Sequence, residues 1–159
     1  MYDEYMERFE GDEGRPAYSR LSKKLSAIKE GHIGWPSQVD CKDSDYNVSH
    51  PYYPHDDYLY VQRIDERGRL WDDIVKKPQD HCSYWFHKNQ CHTNCIRLYS
   101  MRIVTGFAYA EKEHWVRHSW LRIPAVRSIL ETTGHDFQYY YGYEVDEKEI
   151  EEFNKKFNL

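Results

Sequence analysis

Residues 89–98 read NQCHTNCIRL, and the fold predicted for this chain is built around them. Cys91 and Cys95 are four positions apart, so a helix that begins near Cys91 carries both thiols on one face. Cys95 then lies one turn deeper and is buried. The free amides and the dipole at a helix N-terminus favour a thiolate over a thiol. Cys91 is therefore the candidate nucleophile.

Four segments after the thiol helix are predicted to be strands. They are Met101–Ala110, His114–Ile123, Arg127–Thr133 and Gln138–Val145. Consecutive strands joined by connections as short as these pair antiparallel. The sequence therefore predicts a meander sheet that follows the helix.

Loop lengths predict the register of two strand pairs. A four-residue loop at 123–126 places His118 directly opposite Glu131, with the two β-carbons ~5 Å apart. A three-residue loop at 111–113 places Gly106 opposite His118, where a glycine leaves room for the backbone of a substrate. A thiol, an imidazole and a carboxylate are the groups from which a cysteine nucleophile, its base and the orienting acid are built.

Helices are predicted at both ends of the chain. Residues 2–9 have apolar side chains at helical spacing, and a second helix is capped by Ser19 and ended by Gly31. Near the other end, Asp146 and Glu149 are placed to form the capping box of a terminal helix. The two predicted N-terminal helices are interpreted as scaffold.

The segment between the second helix and the thiol helix is irregular. Residues 32–57 have no sustained periodicity and are predicted to be a long loop. Residues 58–64 alternate like a strand, and residues 65–68 are predicted to turn this strand into a hairpin with 69–71. Together the elements predict an α+β fold, with N-terminal helices, a thiol helix packed on an antiparallel sheet, and a C-terminal helix.

Length and charge limit the domain count and the partners. The chain has 159 residues and a net charge of −5 without a basic stripe, so one domain and no nucleic-acid partner are expected. Its longest apolar runs are far shorter than the ~20 residues of a membrane span, and its first residues are unlike a signal peptide. A cytoplasmic protein without a membrane partner is expected, and in that compartment its four cysteines are predicted to be thiols.

Several short motifs resemble a known group of proteins. They are CHTN at 91–94, GFA at 106–108, HSWL at 118–121, ILETT at 129–133 and YG at 141–142. In this order, within residues 88–145, they resemble small phage and bacterial proteins that are in turn similar to papain-like or transglutaminase-like thiol enzymes.

The resemblance implies a papain-like or transglutaminase-like core at 81–145, between helices and loop at 1–80 and the C-terminal helix at 146–159. It implies Cys91 as nucleophile, His118 as base and Glu131 as the group that orients His118. A protein or peptide substrate is expected, no cofactor is expected, and for a phage protein the compartment would be the host cytoplasm.

Two positions depart from the papain-like pattern. Gln90 directly precedes the thiol, whereas the oxyanion glutamine of papain-like enzymes lies several residues upstream. Glu131 stands where Asp or Asn is commoner and has one more methylene of reach. Weaker candidates for oxyanion or substrate contacts are Gln90, Gly106, His114 and Trp120.

Two other interpretations compete with the thiol enzyme. In one, the chain is a non-enzymatic binding or inhibitor protein in which Cys91 and His118 are ordinary buried residues. In the other, thiolates and imidazoles hold a structural zinc ion. On a strand, His114 and His118 would lie ~13 Å apart, too far for one ion. The candidate zinc ligands are therefore Cys82, His87, Cys91 and Cys95.

Overall fold

A computed structural model of the chain describes residues 14–34, 57–77, 91–96, 102–111 and 113–151. The helices are α1 (Gly14–Ile28), α2 (Asp57–Arg67), α3 (Cys91–Ile96) and a short terminal segment, α4, at 147–151. The strands are β1 (His32–Gly34), β2 (Arg69–Trp71), β3 (Ile74–Lys76), β4 (Arg102–Ala110), β5 (His114–Ile123), β6 (Ser128–Leu130) and β7 (Phe137–Glu144). The predicted α+β class is confirmed at this level.

Helix α1 buries the face that its sequence predicts. Leu21 and Leu25 are both buried in the larger of two hydrophobic cores. The helix begins at Gly14, however, and the predicted cap Ser19 lies inside it. Pro16 in the first turn explains the earlier start, because a proline there sacrifices no helical hydrogen bond and its φ suits the helix.

The predicted strand at 58–64 is wrong, because these residues belong to α2. Tyr60, Val61 and Ile64 are all buried, and this spacing describes one face of a helix. Gly68 follows the helix, and its amide donates to the Ile64 carbonyl at 2.8 Å. Buried Asp65 accepts hydrogen bonds or ion pairs from two basic side chains of α1, so contacts across the fold decide in favour of the helix.

The β4–β5 hairpin has the predicted register, with Gly106 opposite His118. The β5–β6 register differs by two residues, because the four-residue turn lies at 124–127 and Arg122 is opposite Ile129. A shift of two residues leaves every side chain on the predicted face, since the strand period is two.

The meander prediction fails at the last strand. Strand β7 pairs with β4 instead of β6, and the strand order is β2-β7-β4-β5-β6-β3. Gly106 and Gly142 are opposite each other in the β4–β7 pair. A β-carbon on Gly106 would lie 2.1 Å from the Tyr141 carbonyl oxygen, so the absence of a side chain permits this close backbone approach.

The sheet curls back on itself. Strands β2 and β3 stand at opposite ends of the order, yet only Asp72 and Asp73 separate them in the chain. The pairing pattern also makes β2 and β3 run in the same direction, as two parts of one interrupted strand. A residue spans at most ~3.6 Å, so the two ends of the sheet must lie close together.

The two sides of the curled sheet carry different cores. Helices α1 and α2 pack with the larger core on the outer side. The inner side holds a second core, made by Trp71, Val104, Ala108, Trp120, Ile129 and Tyr140. His118 has the same strand parity as Trp120, so its side chain lies on the inner side.

The thiol helix lies against a gap in the pairing of β5. On the edge away from β4, β5 pairs with β1 along 114–116 and with β6 along 121–123. Of the strands in the described ranges, none pairs with 117–120 on that edge. Helix α3 packs mainly against β5. The gap therefore lets a residue of α3 reach His118.

At the C-terminal end, the predicted capping box is present. The Glu149 amide donates to Asp146 Oδ1 and the Asp146 amide to Glu149 Oε2, both at 2.9 Å. The predicted helix at 2–9 lies outside the described residues, as do residues 35–56 of the predicted loop. Among the described helices, none has the length and apolar character needed to cross a membrane.

Candidate active site

His118 and Glu131 form a buried pair inside the curled sheet. Their side chains meet at 2.8 Å between His118 Nε2 and Glu131 Oε2, and they are 3% and 0% exposed. Continuing the observed β5–β6 register puts Glu131 opposite Trp120, diagonal to His118. A diagonal neighbour lies farther away than a direct one. The extra methylene of a glutamate therefore suits this position.

Cys91 completes the group from the first position of α3. Its sulfur lies near the His118 imidazole and helps to raise the pKa of that ring. Because Glu131 occupies Nε2, the other ring nitrogen, Nδ1, is left for the thiol. Cys91 is 8% exposed, more than either partner, so the three side chains run inward from thiol to imidazole to carboxylate.

Helix α3 is also attached to the connection between β6 and β7. The Asn94 side-chain amide donates to the Thr132 carbonyl at 3.2 Å, and Cys95 Sγ lies 4.0 Å from Thr132 Oγ1. Both α3 side chains are fully buried. Since Thr132 directly follows Glu131, the same short segment positions the carboxylate and the thiol helix.

Glu131 accepts hydrogen bonds at both carboxylate oxygens. The Thr133 amide and hydroxyl donate to Oε1 at 2.9 and 2.7 Å. The Tyr140 hydroxyl donates to Oε2 at 3.1 Å, the same oxygen that meets His118. Four donors saturate the acceptor sites of a carboxylate, which is how an ionised group is accommodated in a dry interior.

The electrostatics of the pair follow from these contacts. Burial would lower the pKa of His118, but the Glu131 charge and then the Cys91 sulfur outweigh it and raise this pKa to about 10. Burial would raise the pKa of Glu131, but the His118 charge and the Thr133 hydrogen bonds lower it to about 2. An imidazolium held against a carboxylate is the resulting state.

The two thiols of α3 differ in character. Burial raises the pKa of the Cys95 thiol well above its usual value, and the neighbouring Cys91 adds to this effect. Cys95 therefore stays protonated and inert. Cys91, by contrast, lies beside the charged His118 imidazole.

Aromatic rings surround the imidazole. Phe137 lies closest, with ring centroids 4.6 Å apart, and it is only half-buried. Trp120 is stacked at 6.2 Å and Tyr140 lies at 6.4 Å. Phe137 is thus the most exposed of these three rings.

The weaker candidates for oxyanion or substrate contacts have different outcomes. The space expected beside Gly106 is taken by the Tyr141 carbonyl, so the glycine serves the β4–β7 approach instead of a substrate. His114 is at the start of β5, four residues from His118 along the strand. Trp120 forms part of the buried inner wall. Gln90 lies outside the described residues.

A metal site is not assembled by the described residues. In the described ranges no cluster of three or more His, Cys, Asp or Glu side chains has the geometry to hold a metal ion. The proposed zinc ligands Cys82 and His87 lie outside those ranges. His114 and His118 are on a strand, the arrangement in which they are too far apart for one ion.

Sequence reasoning did not find the residues that support Glu131. Thr133 had a local signal, because a hydroxyl two residues after a carboxylate can bond back to it. Tyr140 and Asn94 had none, since their roles depend on the β4–β7 pairing and on where α3 docks.

Comparison with protein-family models, with curated proteins and with solved structures gave no match. The resemblance to papain-like or transglutaminase-like enzymes therefore stays a prediction from the sequence.

Proposed function

We propose that this protein is a cysteine-dependent hydrolase or acyltransferase that acts on an amide carbonyl. The observation that carries the proposal is the buried series Cys91–His118–Glu131, with 2.8 Å between His118 Nε2 and Glu131 Oε2. A thiol next to an imidazole whose other nitrogen is held by a carboxylate is the arrangement that activates a nucleophile.

The reaction uses each group once. The proton of the Cys91 thiol already resides on His118, so the thiolate sulfur attacks the carbonyl carbon and a C–S bond forms. Collapse of the tetrahedral intermediate breaks the C–N bond, and His118 returns the proton to the leaving amine. Water or an amine then attacks the thioester carbonyl while its proton passes to the now neutral His118, and cleavage of the C–S bond restores the Cys91 thiolate and the His118 imidazolium. Glu131 holds the imidazole in orientation and stabilises its charged form.

Protein or peptide substrates fit this chemistry. Peptide, isopeptide and side-chain amide bonds all present the same carbonyl to the sulfur. Hydrolysis and transfer differ only in the group that attacks the thioester.

Limiting iodoacetamide at pH 6, followed by peptide mapping, tests the nucleophile. Cys91 should be alkylated at least about tenfold faster than Cys95, which is the internal control because it is fully buried with a raised pKa. His118→Ala should slow alkylation of Cys91 by about 10²-fold, because the group that takes its proton is lost. Equal labelling of all four cysteines, or one tightly bound zinc per chain, would contradict the proposal.

Glu131→Gln tests the orienting group. The pH at which alkylation of Cys91 reaches half its maximal rate should rise, since the imidazolium loses its counter-charge. Glu30→Gln, at an exposed position, is the matched control. An unchanged profile would remove Glu131 from the site. Asp136, five residues further along the chain, has a side chain that is 77% exposed and ion-paired with Lys77, so it cannot replace Glu131 as the orienting group.

A further inference from the structure

We propose that Tyr140 is a positioning residue of this site, whose hydroxyl holds the Glu131 carboxylate in the orientation that serves His118. This inference rests on the proposed function, because Tyr140 contributes to catalysis only if Cys91 is the nucleophile. It adds a fourth member to the series that begins at Cys91.

The Tyr140 hydroxyl lies directly against the carboxylate that holds His118. Tyr140 is on β7, at an inward-facing position, and it donates at 3.1 Å to the same Glu131 oxygen that meets His118. With two donors on Oε2 and two from Thr133 on Oε1, the carboxylate cannot rotate without losing a hydrogen bond. His118 is therefore presented with a fixed acceptor.

The ring is held as firmly as the hydroxyl. It packs edge-on against Trp120 at 5.1 Å and against Phe137 at 5.8 Å. Burial, together with the Glu131 charge, raises the pKa of Tyr140 far above its usual range, so its hydroxyl remains a donor at every working pH. Replacing the tyrosine by phenylalanine removes the donor and keeps this packing.

The same strand supplies a matched control. The Tyr141 hydroxyl also donates at 3.1 Å, but to the Gly68 carbonyl on the outer side of the sheet. Tyr140→Phe and Tyr141→Phe thus each remove one hydroxyl with one hydrogen bond of equal length. Only the first removes a donor from Glu131.

The measurement is a titration of the Glu131 side-chain carbon by ¹³C NMR. In Tyr140→Phe the midpoint should rise by at least about one unit above that of the parent, because the carboxylate has lost a donor that favours its charged form. In Tyr141→Phe the midpoint should not move. A midpoint in Tyr140→Phe that equals the control would overturn the proposal.

Alkylation of Cys91 separates this inference from the proposed function. If Cys91 is the nucleophile, Tyr140→Phe should slow its alkylation several-fold at pH 6 while Tyr141→Phe leaves it unchanged. If the Glu131 midpoint shifts but Cys91 is unreactive in the parent, the hydrogen bond stands and the enzyme proposal fails.

A measurement on the unaltered chain covers the case in which Tyr140→Phe does not fold. With tyrosines labelled at Cζ, the Tyr140 resonance should move as the pH falls, with the same midpoint as Glu131. The Tyr141 resonance should not follow that midpoint. A Tyr140 resonance that ignores the protonation of Glu131 would refute the contact.

Discussion

Glu131 shows how a charge is tolerated in the interior. A carboxylate taken out of water is destabilised unless it is paired and hydrogen-bonded. Here an imidazolium supplies the opposite charge, and Thr133 and Tyr140 supply the remaining donors. The protonation states of His118 and Glu131 therefore depend on each other. The stability of the fold depends in turn on both protonation states.

The free energy of unfolding should therefore depend on pH in a defined window. The pKa of His118 is raised from 6.5 to about 10, so its contribution is complete below pH 6.5 and is lost as the pH rises towards 10. The pKa of Glu131 is lowered from 4.5 to about 2, so its contribution is complete above pH 4.5 and is lost as the pH falls. Both are complete between pH 4.5 and 6.5.

Urea unfolding from pH 3 to pH 10 measures this effect. Above the window, stability should fall by up to about 1.4 kcal/mol per pH unit. The double variant His118→Gln with Glu131→Gln should flatten the curve, because neither titrating group remains. A parent protein that becomes more stable between pH 7 and pH 9 would be inconsistent with a charged His118.

At the scale of elements, the β4–β7 pair decides the shape of the sheet. Gly106 and Gly142 face each other, and a β-carbon on Gly142 would lie 2.3 Å from the Thr105 carbonyl oxygen. Glycines in strands commonly mark a tight bend or a close backbone approach. This point of contact is beside His118 in the β4–β5 register, so the approach that shapes the sheet also shapes the site.

Gly106→Ala should be strongly destabilising. The new β-carbon would lie 2.1 Å from the Tyr141 carbonyl oxygen and 2.5 Å from the Gly142 Cα, and neither backbone atom can move without separating the strands. A loss of about 3 kcal/mol or more in the free energy of unfolding is expected. Thermal or urea denaturation measures it.

Gly134→Ala is the control for that prediction. Gly134 has a φ of 75° but open space around its missing β-carbon. Only the cost of a positive φ applies there, about 1 kcal/mol. Equal losses in the free energy of unfolding for Gly106→Ala and Gly134→Ala would show that small backbone shifts relieve the close contact at Gly106.

At the scale of the whole molecule, Trp71 joins the two halves of the curled sheet. It is on β2, but its ring meets Trp120 of β5 edge-on at 6.5 Å. Its indole nitrogen donates to the Gly142 carbonyl at 2.9 Å. Strands β2 and β5 are not neighbours in the sheet order, so the contact between Trp71 and Trp120 holds the curl closed.

Trp71→Ala should lower the free energy of unfolding by about 3–5 kcal/mol, because it empties the centre of the inner core. Leu70→Ala, one residue away, removes a side chain that is 41% exposed and should change stability by about 0.5 kcal/mol. Urea unfolding compares the two. Similar losses in both variants would mean that the inner core does not support the curl.

The three side chains of the candidate site were predictable from the sequence, whereas Tyr140, which hydrogen-bonds to Glu131, was not. Cys91, His118 and Glu131 were found because helix spacing and strand parity are local rules, and a two-residue error in register leaves both strand faces unchanged. Tyr140 was missed because β7 was expected beside β6. Its side chain reaches Glu131 only after β7 has crossed to pair with β4.

The sequence by itself determined the α+β class, the helix that starts at Cys91, the β4–β5 hairpin and the C-terminal capping box, because each follows from contacts between residues close in the chain. Tertiary structure alone decided that residues 58–64 are helical, that β7 lies beside β4, and that β2 and β3 close the curl. In these cases a local pattern fitted more than one structure. Burial against α1, the meeting of two glycines and the docking of Trp71 across the sheet selected between them.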